Sequence, residues 1–147
     1  HNQIYKLMFD KTYVDRLKMW RDFRLTLEES NSPFEDTIEF WNNAPLSSIA
    51  ADPYNKETWP TPWEMIEENR YCDFTKILAI YYTLQLTDRF SSSCFEIHIT
   101  LDEKESVIRY LLFVDNLTIG YYYNKSIDAT DLPKLKCQMQ HDTLPTY

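Results

Sequence analysis

The chain has 147 residues, 44% of them hydrophobic and 26% charged, with 15 Lys and Arg against 23 Asp and Glu for a formal charge of −8. That is the length of a single domain, able to bury a core without disulfides or a structural metal. An acidic chain lacks the clustered cations that phosphate contacts need, and one glycine in the whole sequence excludes the usual Gly-rich phosphate and dinucleotide loops.

In chain order, the segment 4–9 is short and ambiguous, a strand being one reading. Over 10–29 apolar residues recur at Tyr13, Val14, Leu17, Trp20 and Leu27, the spacing of an amphipathic helix. Ser32-Pro33-Phe34-Glu35 is a helix start, with a capping serine, a proline suited to the first helical position and a glutamate placed to return a hydrogen bond. This helix should turn Phe34, Ile38 and Trp41 inward and stop near Asn43 and Pro45. Thr61-Pro62-Trp63-Glu64 repeats the same chemistry and opens a short helix to about Asn69. Between the two lies 42–60, a loop with three prolines and no periodicity, pinned by Tyr54 and Trp59. The segment 74–86 is apolar nearly all round, which predicts a central buried helix with Cys72 or Asp73 at its N-terminus.

After Phe90 the period becomes two. Phe95, Ile97, Ile99 and Leu101 alternate with Cys94, Glu96, His98 and Thr100, the pattern of a half-buried strand. A polar turn at 102–106 leads to a strand over 107–114, a two-residue turn at Asp115-Asn116 and a returning strand over 117–123. Leu135, Cys137 and Met139 suggest a fourth strand. The prediction is a single α+β domain over 1–147: N-terminal helices plus a central buried helix, packed on a three- to four-stranded antiparallel β-meander.

Three widely spaced cysteines, Cys72, Cys94 and Cys137, form no disulfide framework and suit a reducing compartment. No signal-peptide core and no apolar run near the roughly 18 residues of a membrane span occur. The expected location is therefore the cytoplasm, with no membrane partner and no nucleic acid. The two triplets Asn116-Leu117-Thr118 and Asn124-Lys125-Ser126 read as chance matches to a glycosylation signal. Cys137 and His141 are four apart, with only His1 and His98 as further histidines, so no metal and no cofactor is predicted. The carboxylate pairs Glu28-Glu29 and Glu67-Glu68 and the acidic turn after Leu101 read as solvated surface.

Two constellations could carry function. Cys72 at a helix N-terminus would feel the positive end of the helix dipole, which favours thiolate. His98 on the next strand could serve as its base, and Asp115 could orient the histidine. On Tyr71-Cys72-Asp73-Phe74-Thr75, Glu96-Ile97-His98-Ile99 and Phe113-Val114-Asp115, the stretch 71–123 resembles the transglutaminase-like superfamily. That resemblance implies acyl transfer through a thioester at Cys72. The sequence departs from the family in placing Arg70-Tyr71 where small residues are usual. Strict alternation also turns His98 away from the face of Ile97 and Ile99. The competing reading is a buried structural cysteine, a polar-face histidine and a turn aspartate.

The second constellation is aromatic. Trp59-Pro60-Thr61-Pro62-Trp63 sets two indoles on a proline-braced segment, with Tyr54 before it and Tyr121-Tyr122-Tyr123 later in the chain. Trp59, Trp63, Tyr54, Tyr121 and Tyr123 are candidate contacts for a protein partner or a second copy of the chain. The alternative is that Trp59 and Trp63 staple the loop onto the core. The segments Asp52-Pro53-Tyr54, Thr58 to Glu64, Tyr71 to Phe74 and Tyr82-Thr83-Leu84 resemble small proteins carried by tailed phages of marine bacteria. This implies a virus-encoded protein, in the particle or in the host cytoplasm, and implies no catalytic residues. The expected function is a non-catalytic structural or protein-interaction component. The alternatives are a transglutaminase-like cysteine acyltransferase or protease, and an inhibitor that sets its acidic surface against a basic site on a host enzyme.

Overall fold

The computed structural model describes residues 2–48 and 51–147. His1 and part of the 42–60 loop lie outside the described residues. Helix α1 (Tyr13–Thr26) starts at Thr12, whose hydroxyl accepts from the Asp15 amide. Helix α2 (Pro33–Asn42) has the expected proline in its first turn. Helix α3 (Pro62–Glu68) has the full capping box: the Glu64 amide donates to Thr61 Oγ1 at 3.1 Å and the Thr61 amide donates to Glu64 Oε1 at 2.9 Å. It ends on Asn69 in the left-handed region (φ 54°), whose carboxamide donates to the Phe9 carbonyl. Helix α4 (Asp73–Gln85) follows Cys72, whose amide donates to Thr75 Oγ1 at 2.8 Å.

As predicted, α4 is the buried centre: eleven of its thirteen residues are buried. One polar residue on it satisfies two buried indoles. The Nε1–H groups of Trp20 on α1 and Trp41 on α2 both donate to Thr83 Oγ1, at 3.0 and 2.9 Å, while the hydroxyl donates to the Ala79 carbonyl. The helical layer thus hangs on one hydroxyl used to its full capacity. Arg16, 8% exposed, ties α1 to α3: its Nε and Nη2 donate to the Ile66 and Glu67 carbonyls, and its Nη1 donates to the Lys11 carbonyl.

The sheet is antiparallel, in the order β4-β3-β2-β1-β5, from β1 (Phe95–Asp102), β2 (Val107–Val114), β3 (Leu117–Ile119), β4 (Ile127–Asp128) and β5 (Lys136–His141). The α+β class is therefore observed, with five strands among the described residues. Ile97, Leu112, Val114 and Ile119 share the inner face against α4, where Phe74 meets Tyr110 and Tyr81 meets Phe95 edge to face.

Several expectations are corrected. Residues Asn2–Asp10 form a 3-10 helix, not a strand; Tyr5, Met8 and Phe9 are spaced to turn one way, and the Tyr5 ring meets Phe23 while Phe9 meets Tyr71. Val14 is 59% exposed, and the buried residues of α1 are Arg16, Trp20 and Phe23. Ser32 makes no side-chain cap; Ser30 instead accepts the Ser32 amide and donates to Asp36, and Glu35 is drawn off to accept from Ser126. The returning strand stops at Ile119 because Gly120 turns at φ 116°, where a Cβ would lie 2.3 Å from the Tyr110 carbonyl oxygen. Tyr121 to Tyr123 consequently lie in bends.

The last strand is present but does not extend the meander, since β5 pairs with β1 at the opposite edge from β4. The connection to β5 begins with a 3-10 turn (Ala129–Asp131). On the outer face of the sheet, Leu111 and Thr118 are 0% exposed.

Candidate functional site

The structure does not bring Cys72, His98 and Asp115 together. Cys72 precedes α4 and borders the inner-face Tyr110. His98 stands on the outer face, as the alternation of β1 requires: its Nε2–H donates to Glu96 Oε1 at 2.9 Å and its ring lies on Phe113. The sheet separates it from Cys72. Asp115 is a turn residue (φ 53°) whose carboxylate accepts from the Cys94 amide at 2.9 Å. That places it beside the start of β1, where Tyr81 meets Phe95, eight residues or about 12 Å along α4 from its first residue. The acyl-transfer reading has no assembled site.

The two indoles of the proline-braced segment part ways. Trp59 is 8% exposed, against the rings of Phe74 (5.1 Å) and His141 (4.9 Å), with its Nε1–H donating to the Asp52 carbonyl. It staples the loop to the core, which corrects its assignment as a partner contact. Trp63 is 43% exposed. Pro62 and the Thr61–Glu64 box fix its backbone, and its ring stands edge-on to Trp20, with centroids 6.0 Å apart. Across the Trp20 ring lies the Arg24 guanidinium, 4.3 Å from the centroid. Arg24 Nε is sealed from solvent with no hydrogen-bond partner, and no carboxylate pairs with Arg24 among the described residues. Burial, then the neighbouring Arg21, pushes the guanidinium pKa below its ordinary value.

The remaining aromatic candidates sit elsewhere. A furrow runs along the start of α4. One cavity of about 380 Å³ is lined by Pro53, Cys72, Asp73 and Tyr110. A second, of about 190 Å³, shares Asp73 and Tyr110 and continues past Ile108 to Tyr122 and Tyr123. Tyr54 is 49% exposed and Tyr123 is 76% exposed. Tyr54 therefore does not pin its loop, a task left to Trp59. Tyr121 is half-buried and packs edge-to-face on Tyr122 beneath Arg109. Along the furrow, burial lowers the Lys76 pKa against the raising effect of Asp73, and burial raises that of Tyr110. Among the described residues no group of three His, Cys, Asp or Glu side chains is placed to hold a metal.

Sequence reading found Trp63 but missed Trp20 as its support and Arg24 as its charged neighbour. The signal was available, because a cation four residues after an aromatic on a helix lies on the same face. The chain matches no family model, no curated protein and no solved structure. Among the described residues no helix is long and apolar enough to cross a membrane.

Proposed function

We propose that the chain is a non-catalytic protein-interaction component that engages a protein partner through the face of α1 and α3 around Trp63. The observation that carries this reading is an indole left 43% exposed on a backbone fixed by proline and a capping box. Such a side chain is already ordered, so covering it costs little further entropy, and Trp is prominent among residues that dominate interfaces. The dispersal of Cys72, His98 and Asp115 favours this reading over a thiol enzyme. The resemblance of the 52–84 region to small phage proteins supports a virus-encoded setting.

The test begins with a photo-crosslinking residue at position 63 and, as a control, at the exposed position 103. The partner captured only from position 63 is then titrated against Trp63→Ala. Losing the buried half of the indole should cost about 2–3 kcal/mol of stability. The fold should survive, and partner affinity should fall about thirtyfold or more, as for an interface hot spot. Unchanged affinity in a variant that loses stability would return Trp63 to the core.

A further inference from the structure

We infer that Arg24, which lies over the same Trp20 ring that Trp63 meets edge-on, is the receiving group for a single carboxylate of the partner, an Asp or Glu side chain flanked by apolar residues. This rests on the reading of the Trp63 face as a docking surface and names what docks there. Arg24 is a half-buried cation with an orphaned Nε, stacked on Trp20 and lacking any acid among the described residues. A desolvated guanidinium without an anion is unfavourable, and native proteins rarely leave one so. Among the described residues no hydrogen bond occupies its Nη1 and Nη2 groups, and neither is among the sealed, unsatisfied atoms. They are therefore open to a ligand. With its Cζ 4.3 Å from the Trp20 centroid, the planar guanidinium fork suits a planar, bidentate acceptor. Arg21, one turn away, adds a second positive charge to the same approach.

The size of the expected ligand follows from the rest of the surface. At −8 overall, the chain repels a polyanion such as nucleic acid, whose neighbouring phosphates would face Asp and Glu. One carboxylate brings one charge to the one place that is short of it. Its flanking apolar groups would cover Trp63 and exclude water from the pair, which strengthens it.

The probe pair is benzoate and benzamide, an aromatic carboxylate and its neutral counterpart, added to the full ¹⁵N-labelled chain. The readouts are the Arg24 Nε–H and Trp63 indole N–H resonances. Benzoate should shift both along one saturating curve and bind about tenfold more tightly than benzamide. In Arg24→Gln the preference for benzoate should vanish while benzamide still moves the Trp63 signal; Arg24→Lys, which keeps the charge but not the fork, should retain only part of it. Benzamide binding at Trp63 with no benzoate preference, or a preference that survives Arg24→Gln, would overturn the carboxylate inference and leave the docking surface standing. If neither probe moves the Trp63 signal, both fall.

Discussion

Replacing Thr83 by valine changes almost no volume and removes one oxygen. That oxygen accepts from two indoles, Trp20 at 3.0 Å and Trp41 at 2.9 Å, which are 1% and 0% exposed. Neither N–H has water to turn to. An orphaned buried donor costs about 1–3 kcal/mol, and the added methyl returns about 1 kcal/mol. The net loss should be about 3 kcal/mol, or about 10 °C in Tm for a chain of this size. Thr83→Ser keeps the hydroxyl and loses a buried methyl, so it should cost only about 1 kcal/mol. Urea unfolding followed by tryptophan fluorescence measures both. If valine and serine destabilise equally, packing rather than the shared acceptor holds α1 and α2 to α4, and the reasoning fails.

Gly120→Ala should cost about 3 kcal/mol or more: the new Cβ would meet a backbone carbonyl at 2.3 Å and occupy φ 116°, and a loss under about 1 kcal/mol would show that β3 can shift away. With a disulfide reagent, Cys94 and Cys137, both exposed, should titrate in the native protein, while Cys72, buried at 9% exposure, should wait for denaturant. Three fast thiols would mean that Cys72 is reached through the furrow. On the acid side, burial alone would raise the Glu35 pKa, but the amide and hydroxyl of Ser126 both donate to its carboxylate and hold it below the ordinary value. The Arg109 guanidinium does the same to Asp102. Both contributions are complete above the ordinary carboxylate range and are lost as the pH falls through about 4 and below. Glu35→Gln should flatten the acid limb of a stability-versus-pH curve; an unchanged slope would remove Glu35 from it.

What was legible in the sequence was local. The Thr61–Glu64 box, the period-two strand at Phe95 and the all-round apolar α4 each announce themselves within a few residues, and each is found where expected. What failed depended on distant partners. Ser32 and Glu35 have the right chemistry for a capping box, but Glu35 is drawn off to Ser126, 91 residues further along the chain. Trp59 and Trp63 look alike in their neighbourhoods, and only Phe74 and His141, brought together by the fold, decide that Trp59 goes inside. The position of β5 beside β1 was invisible because strand alternation says nothing about which edge a strand joins. For the same reason Cys72, His98 and Asp115 could be ordered along the chain as a triad and still end up at three separate places. Trp63 was legible as an interface candidate because its bracing is sequence-local; the place of Arg24 over Trp20 was legible in the same way, but its lack of a partner was not, because that is a property of the whole surface.

The clamp at Arg16 has a consequence for how copies of this protein would diverge. All three of its bonds end on main-chain oxygens, those of Lys11, Ile66 and Glu67. A grip on backbone is indifferent to what hangs from it, so Lys11 and Glu67 can drift to other exposed residues without loosening α3. Arg16 itself has no such licence: lysine offers a single nitrogen and cannot span three carbonyls. If the Trp63 face is a docking surface, then among relatives that have exchanged one partner for another Trp63 and its surroundings would be rewritten, and Arg16, which holds their helix in place, would be the residue inherited unchanged.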